Sequence, residues 1–271
     1  MDVKIVDLHN DLLTECFNLN IYKNAEKSGY KSIYALYKGE RSLAGIKEIY
    51  QKAYINGVRN FAFEDSCYAE SQELEALIEE IKPRYASLCW NYENDFGGGC
   101  KSAAGLKEKG RKFIETLNAI GVPLDLAHAN KPTFYEAIEV ADKPLCSHTC
   151  FSFICDSVRN IDESRIELIL KKGGIVGLCF VGYFLSDNAK NKTQKQLENA
   201  FYEAIDRYLQ KFGINGLCIG SDFFGTDLLA FDSYDSFYNG ICERLSANYS
   251  DEVLSAILYR NATRFFGESL V

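Results

Sequence analysis

The chain has 271 residues, 47% of them hydrophobic, with a formal net charge of −8 and a sequence pI near 5.1. That length suits one large domain over residues 1–271, a size that α/β barrels commonly reach. The acidity argues against nucleic acid or an anionic membrane surface as the main partner, because either calls for a basic face.

No run approaches the ~18 apolar residues of a membrane span. The N-terminus, MDVKIVDLHNDLL, has no basic region followed by a long apolar stretch and a small-residue cleavage site, so the expected location is the cytoplasm. Ten cysteines are spread through strand-like runs without a CxxC pair, which reads as buried free thiols rather than a disulfide framework or a structural zinc site.

In chain order, the strand-like run VKIVDL (3–8) comes first. The pattern is weakest over 12–57, where KSIYALY (31–37) is the strand candidate, before a helix-like SLAGIKEIYQKAY (42–54). VRNFAF (58–63), the helical SQELEALIEEI (71–81) and YASLCW (85–90) follow. Next come a long loop (91–104), the helical GLKEKGRKFIETLNAI (105–120), VPLDLA (122–127), TFYEAIEVA (133–141) and PLCS (144–147). DESRIELILKKGG (162–174), GIVGLCF (174–180), a second loop (181–195), KQLENAFYEAIDRYLQKFG (195–213) and GLCIG (216–220) complete the series. Two of these helical patterns stop on glycine, a common helix terminator. The Gly97-Gly98-Gly99 run lacks the Lys-Ser/Thr of a P-loop and reads as a flexible loop.

This βαβα rhythm predicts a parallel sheet with right-handed crossovers. Seven clear strands and a degenerate second one make a (β/α)8 TIM-type barrel. An open doubly wound sheet would draw its site from two or three strands at a switch point. Here five strand ends carry metal-competent side chains, as at the C-terminal face of a barrel.

Those side chains include all three histidines of the chain: KIVDLH ends at His9, PLDLAH at His128 and PLCSH at His148. Glu64 ends RNFAFE and Asp222 ends LCIGSD. His9 and Asp11 flank Asn10, and on an extended chain residues i and i+2 face the same way, so both can reach one ion. Neutral imidazole binds borderline metals. Two zinc ions would be balanced by Asp11, Glu64, Asp222 and one bridging hydroxide, and a zinc-bound water with its pKa lowered to ~7 supplies a nucleophile at neutral pH.

DLHNDL (7–12), DLAH (125–128), CSH (146–148), RN (159–160), GGIVG (173–177) and IGSDFFGTD (219–227), in this order, resemble the membrane (renal) dipeptidase family of zinc dipeptidases, within the amidohydrolase-like metal-dependent barrels. The set covers most of the chain, and Asn261-Ala-Thr-Arg-Phe-Phe resembles the closing helix of the family. The resemblance implies that His9 and Asp11 hold one zinc and His128 and His148 the other, with Glu64 bridging. It implies Asp222 as the catalytic aspartate that orients the bridging water and passes its proton to the leaving amine. It implies that Arg159 pairs with the dipeptide's C-terminal carboxylate, a bidentate task suited to guanidinium. A homodimer is the family's habit.

Three departures stand out. Trp90 occupies the position of a family histidine that contacts the scissile carbonyl, and losing one such donor can cost ~10²–10³ in rate; Asn91 is the candidate substitute in substrate binding. The segment between Asp11 and Glu64 is shorter than in typical members. Val181, with Tyr183 nearby, replaces a pocket tyrosine. The leading expectation is a zinc-dependent dipeptidase. The alternatives are another binuclear metal-dependent amide or lactam hydrolase on the same barrel, or a catalytically silent metal-binding homologue.

Overall fold

The computed structural model describes residues 3–15, 18–39, 42–68, 71–267 and 270. Eight strands run in sequence order: β1 (Ile5–Asn10), β2 (Tyr30–Leu36), β3 (Phe61–Phe63), β4 (Ala86–Ser87), β5 (Leu124–Asp125), β6 (Pro144–Thr149), β7 (Val176–Leu178) and β8 (Leu217–Ile219). Each pairs in parallel with the next, and Asp7 of β1 pairs with Ile219 of β8 to close the barrel. The long helices are α1 (Leu19–Lys27), α2 (Leu43–Ile55), α3 (Ser71–Ile81), α4 (Glu108–Ile120), α5 (Lys131–Val140), α6 (Glu163–Lys171), α7 (Gln194–Phe212) and α8 (Tyr234–Ser246). Among the described residues, no helix is long and apolar enough to cross a membrane.

The segment 12–57 therefore supplies a full second unit. Its strand is not degenerate: YKSIYAL of β2 spans 7 residues, the longest strand of the eight.

Helix ends follow local chemistry. Asn130 caps α5 by accepting the Thr133 N–H, and Asp162 caps α6 by accepting that of Arg165. Thr193 and Gln196 form a capping box on α7. Gly173 and Gly213 follow α6 and α7 at φ +72° and +71°, a region that only glycine enters at no steric cost.

The apolar mass falls into two parts. A large cluster lies between the sheet and its helices, with Phe134, Phe151, Phe201 and Phe237 fully buried. A smaller one gathers Val6, Leu8, Ile33, Ala62, Tyr85, Leu145, Ile175 and Cys218 against Ala262 and Phe265 of the closing helix. Asn261 pins that helix by donating to the carbonyls of Ile214 and Leu217 at the start of β8. The described cysteines are free thiols, most of them buried.

Two irregularities in the sheet aim the site. The β1–β2 register shifts between Asp7 and Asn10, and the β6–β7 register between Cys146 and Thr149. Each shift brackets a histidine, His9 or His148, and a bulge is the backbone device that re-aims one side chain.

The motif glycines let strands approach closely. A Cβ on Gly177 or on Gly220 would sit 1.9 Å from the Ser147 carbonyl oxygen, next to His148. The Gly97–Gly99 loop is likewise packed, not free. All three glycines are buried, a Cβ on Gly98 would lie 2.1 Å from the Ala104 oxygen, and one on Gly99 would lie 1.9 Å from the Trp90 oxygen.

Gly177→Ala is expected to cost about 3 kcal/mol of stability, because the clash is with backbone. Gly173→Ala, in open space at positive φ, should cost only ~1–2 kcal/mol. Urea midpoints of the two variants measure this, and an equal, small shift in both would contradict the close approach at Ser147.

Candidate metal centre

Every candidate side chain lies at or just beyond the C-terminal end of a strand. His9 and Asp11 end β1, Glu64 follows β3, His128 stands three residues after β5, His148 lies in β6 and Asp222 follows β8. The barrel brings these six residues into one cluster. Asp11 Oδ2 is 3.3 Å from His9 Nε2. Glu64 spans the centre: Oε2 is 3.9 Å from His9 Nε2, while Oε1 is 2.9 Å from His128 Nε2 and 3.8 Å from His148 Nε2. Ligand atoms of His9, Glu64 and His148 lie within 4.8 Å of one another, as do those of His9, Asp11 and Asp222.

The ring hydrogen bonds decide which nitrogen faces inward. Tyr85 donates its hydroxyl to the Leu8 carbonyl, so its oxygen accepts from His9 Nδ1, 2.9 Å away. Ser147 donates to Asp125 Oδ2 at 2.6 Å, so its oxygen accepts from His148 Nδ1 at 2.9 Å. Asn91 Oδ1 accepts from His128 Nδ1 at 3.0 Å. In the neutral rings all three Nε2 atoms are thus bare lone pairs turned to the centre. His128 Nε2 and His148 Nε2 face each other at 2.9 Å, and His9 Nε2 is buried without a well-formed hydrogen bond. Buried acceptors arranged in this way need a cation between them.

The titration of the cluster carries the same message. Burial, followed by Asp11 and Asp222, outweighs His9 and pushes Glu64 up to about 8. Burial and then Asp11, with which it shares a hydrogen bond, push Asp222 up to about 7. Burial alone would lower His9, but Asp11 and Glu64 raise it to about 10. Burial, backed by Arg159 and His9, holds His128 and His148 well below the usual imidazole range. The donor set of imidazole nitrogens and carboxylates fits metal binding.

The backbone is strained where the site needs it. His128 and Asp222 lie at φ 66° and 60°, a left-handed conformation that is costly for residues other than glycine. No helix follows Asp222 before α8, so helix capping does not account for it. Gly225 lies beside it, where a Cβ would come within 2.5 Å of both the Asp222 and the Asp11 carboxylates.

All of the cluster except His9 lines a cavity of about 340 Å³, as its floor. Arg159, Trp90, Asn91, Lys101, Tyr37, Val181 and Tyr183 are among its lining. Arg159 is only 9% exposed and forms no ion pair with any described residue; Asp162 pairs instead with Lys131 and Arg165. The guanidinium lies over Phe184 at 5.2 Å, with Nη2 3.4 Å from the His148 carbonyl. Trp90 packs 6.0 Å from the His128 ring and 5.5 Å from Tyr37. The Asn91 amide oxygen accepts from both His128 Nδ1 and the Cys100 thiol.

Sequence reasoning passed over the residues that hold the ligands. Ser147 and Asp125 support His148, and Tyr85 supports His9. Asp7 accepts from Ser221, Tyr234 and the His9 amide, and so ties β1 to β8 below Asp222. The available signal was the recurrence of a strand-borne aspartate with a serine beside a later ligand: Asp7 with Ser221-Asp222, and Asp125 with Ser147-His148.

The sequence profile of the family described as membrane dipeptidase (peptidase family M19) matches residues 69–270. Among curated relatives, an uncharacterized protein in the pqqA 5′ region of Klebsiella pneumoniae is 27% identical over 185 residues, 65% of this chain and 68% of its own length. Dipeptidase 3 of Homo sapiens is 26% identical over 168 residues, 61% of this chain, so the match spans only 33% of that protein. A solved structure of a dipeptidase AC, a metallo peptidase of family M19, superposes with TM-score 0.85 at 16% identity over 98% of each chain. A metallo peptidase from Rhodobacter sphaeroides, liganded with a phosphinate mimic of the dipeptide L-Ala-D-Ala, gives TM-score 0.84 at 16% identity over 98% of this chain and 99% of its own. At that identity the likeness is one of fold. The profile match takes in His128, His148, Arg159 and Asp222, and it covers well over half of the chain, so the protein belongs to the membrane dipeptidase family, peptidase family M19.

Proposed function

We propose that this protein is a metal-dependent dipeptidase. The observation that carries the reading is Arg159: a nearly buried guanidinium without a carboxylate partner among the described residues, lining the cavity with the His/Glu/Asp cluster. An unpaired charge in such a place is expensive unless a ligand supplies the counter-charge, and a dipeptide's terminal carboxylate is the matching anion.

His9 and Asp11 would hold one ion and His128 and His148 the other, with Glu64 reaching both; imidazole with carboxylate suits zinc. Bound there, the pair would supply Lewis acidity and a water acidic enough to react at neutral pH. The chain's own residues do the rest. Arg159 fixes the carboxylate end and so sets the peptide bond over the floor of the cavity. Asp222, at the edge of the cluster, takes the proton of the attacking water and returns it to the leaving nitrogen. Trp90 and Tyr37 wall the cavity and keep solvent from that side.

The purified protein loaded with zinc should release amino acids from simple dipeptides, lose this activity to a chelator and recover it when zinc returns, with about two ions per chain by elemental analysis. His128→Ala should remove it. Bound metal without cleavage of any dipeptide would favour the silent homologue, and cleavage of blocked amides or lactams only would favour the other hydrolase.

Metal loading should be pH-dependent in a definite direction. With Glu64 near 8 and His9 near 10 in the metal-free protein, both hold protons at pH 7 and must release them to bind. Affinity therefore rises as pH goes from 6 to 8, and calorimetry in buffers of different ionisation enthalpy should show net proton release. Zinc binding with no proton release would contradict this electrostatic account.

Asn91→Ala deletes the acceptor of His128 Nδ1. By competition with a chromophoric chelator it should weaken metal binding about 10–100-fold; unchanged affinity would show that the ring needs no such support.

A further inference from the structure

Two cations line the cavity, Arg159 and Lys101, and the proposed reaction uses only the first. Lys101 lies in the loop after β4, on the wall formed with Trp90 and Asn91. Its backbone is fixed. Lys101 N–H donates to the Asn91 carbonyl at 2.8 Å, and Asn130 Nδ2 donates to the carbonyls of Ser102 and Ala104 at 2.8 and 2.7 Å. Gly98 and Gly99 admit the close backbone contacts that lock this turn.

The side chain is held without being neutralised. The Lys101 ammonium stands 5.4 Å from the centroid of the Tyr92 ring, and Tyr92 in turn lies 6.3 Å from Trp90. A cation over an aromatic face is positioned, yet its charge stays available. Of the acidic side chains in the loop, Glu93 pairs with Lys107 at 2.6 Å and Asp95 with Lys109 at 3.0 Å. Lys101 forms no ion pair with any described residue.

The carboxylates lining the cavity are Asp11, Glu64 and Asp222, all in the floor, where bound ions would neutralise them. That leaves Arg159 and the exposed Lys101 as the arginine and lysine of the lining that no described carboxylate neutralises. Both oppose the rise that burial imposes on the Cys100 thiol. With Arg159 on the α-carboxylate, Lys101 is the remaining lysine or arginine of the lining for a second anionic group to meet.

We propose that Lys101 is a specificity-determining residue that pairs with a second carboxylate, so that the preferred substrates are dipeptides ending in aspartate or glutamate. The inference rests on the dipeptidase reading. A flexible, compact ammonium suits this task, because it can meet side chains of two lengths where a rigid fork could not.

The test compares Ala-Glu with its neutral isostere Ala-Gln, and Ala-Asp with Ala-Asn, using the zinc-loaded protein. The wild type should show kcat/KM about tenfold higher for each acidic member, a gap that narrows with added salt. In Lys101→Met the ratio should fall to about one, through KM rather than kcat, as expected for a contact made equally in ground and transition states. In Lys101→Glu it should drop below one. A wild-type ratio near one, or a ratio that Lys101→Met leaves unmoved, overturns the proposal while cleavage of the neutral peptides keeps the dipeptidase reading intact. No cleavage of any of the four peptides overturns the reading itself, and the proposal with it.

Discussion

The centre of this protein depends on the sidedness of three imidazoles. Tyr85, Asn91 and Ser147 each engage an Nδ1 atom and leave the Nε2 of His9, His128 and His148 directed at Glu64. Nothing else in the fold would require three histidines to meet, and without a cation their approach is unfavourable. A close pair of bare ring nitrogens and three crowded carboxyls can coexist in a buried place only with positive charge among them, carried by protons or by metal.

The remainder of the architecture serves that requirement. Register shifts in β1 and β6 bracket His9 and His148, where regular pairing is interrupted. His128 and Asp222 accept left-handed backbone where their loops leave β5 and β8. Gly177 and Gly220 let β7 and β8 press against Ser147, whose hydroxyl links Asp125 to His148. Strain and close packing of this kind persist because a large apolar cluster between sheet and helices over-determines the positions.

Much of this was legible in the sequence. A histidine or carboxylate at the polar end of an apolar run marks the mouth of a parallel barrel, and six such residues do gather there. The second strand was harder to read because its alternation is broken by Lys31 and Ser32 and it is flanked by short, polar segments; only tertiary pairing with β1 and β3 fixes it. The Gly97–Gly99 run looked loose because close backbone contacts leave no mark in composition. The role of the ligand supports was hard to read for a related reason. Ser147, Tyr85 and Asn91 are ordinary residues whose part is set by contacts across 1, 76 and 37 positions of chain, and Lys101 gains its meaning from the company of Arg159 in the folded cavity.

The most direct test of the account is anomalous diffraction at the zinc edge from crystals grown with zinc. Two peaks are predicted, one beside His9 and Asp11 and one beside His128 and His148, with Glu64 between them and every histidine bound through Nε2 at about 2.0–2.1 Å. Coordination through Nδ1, or no ordered metal at this cluster, would contradict it.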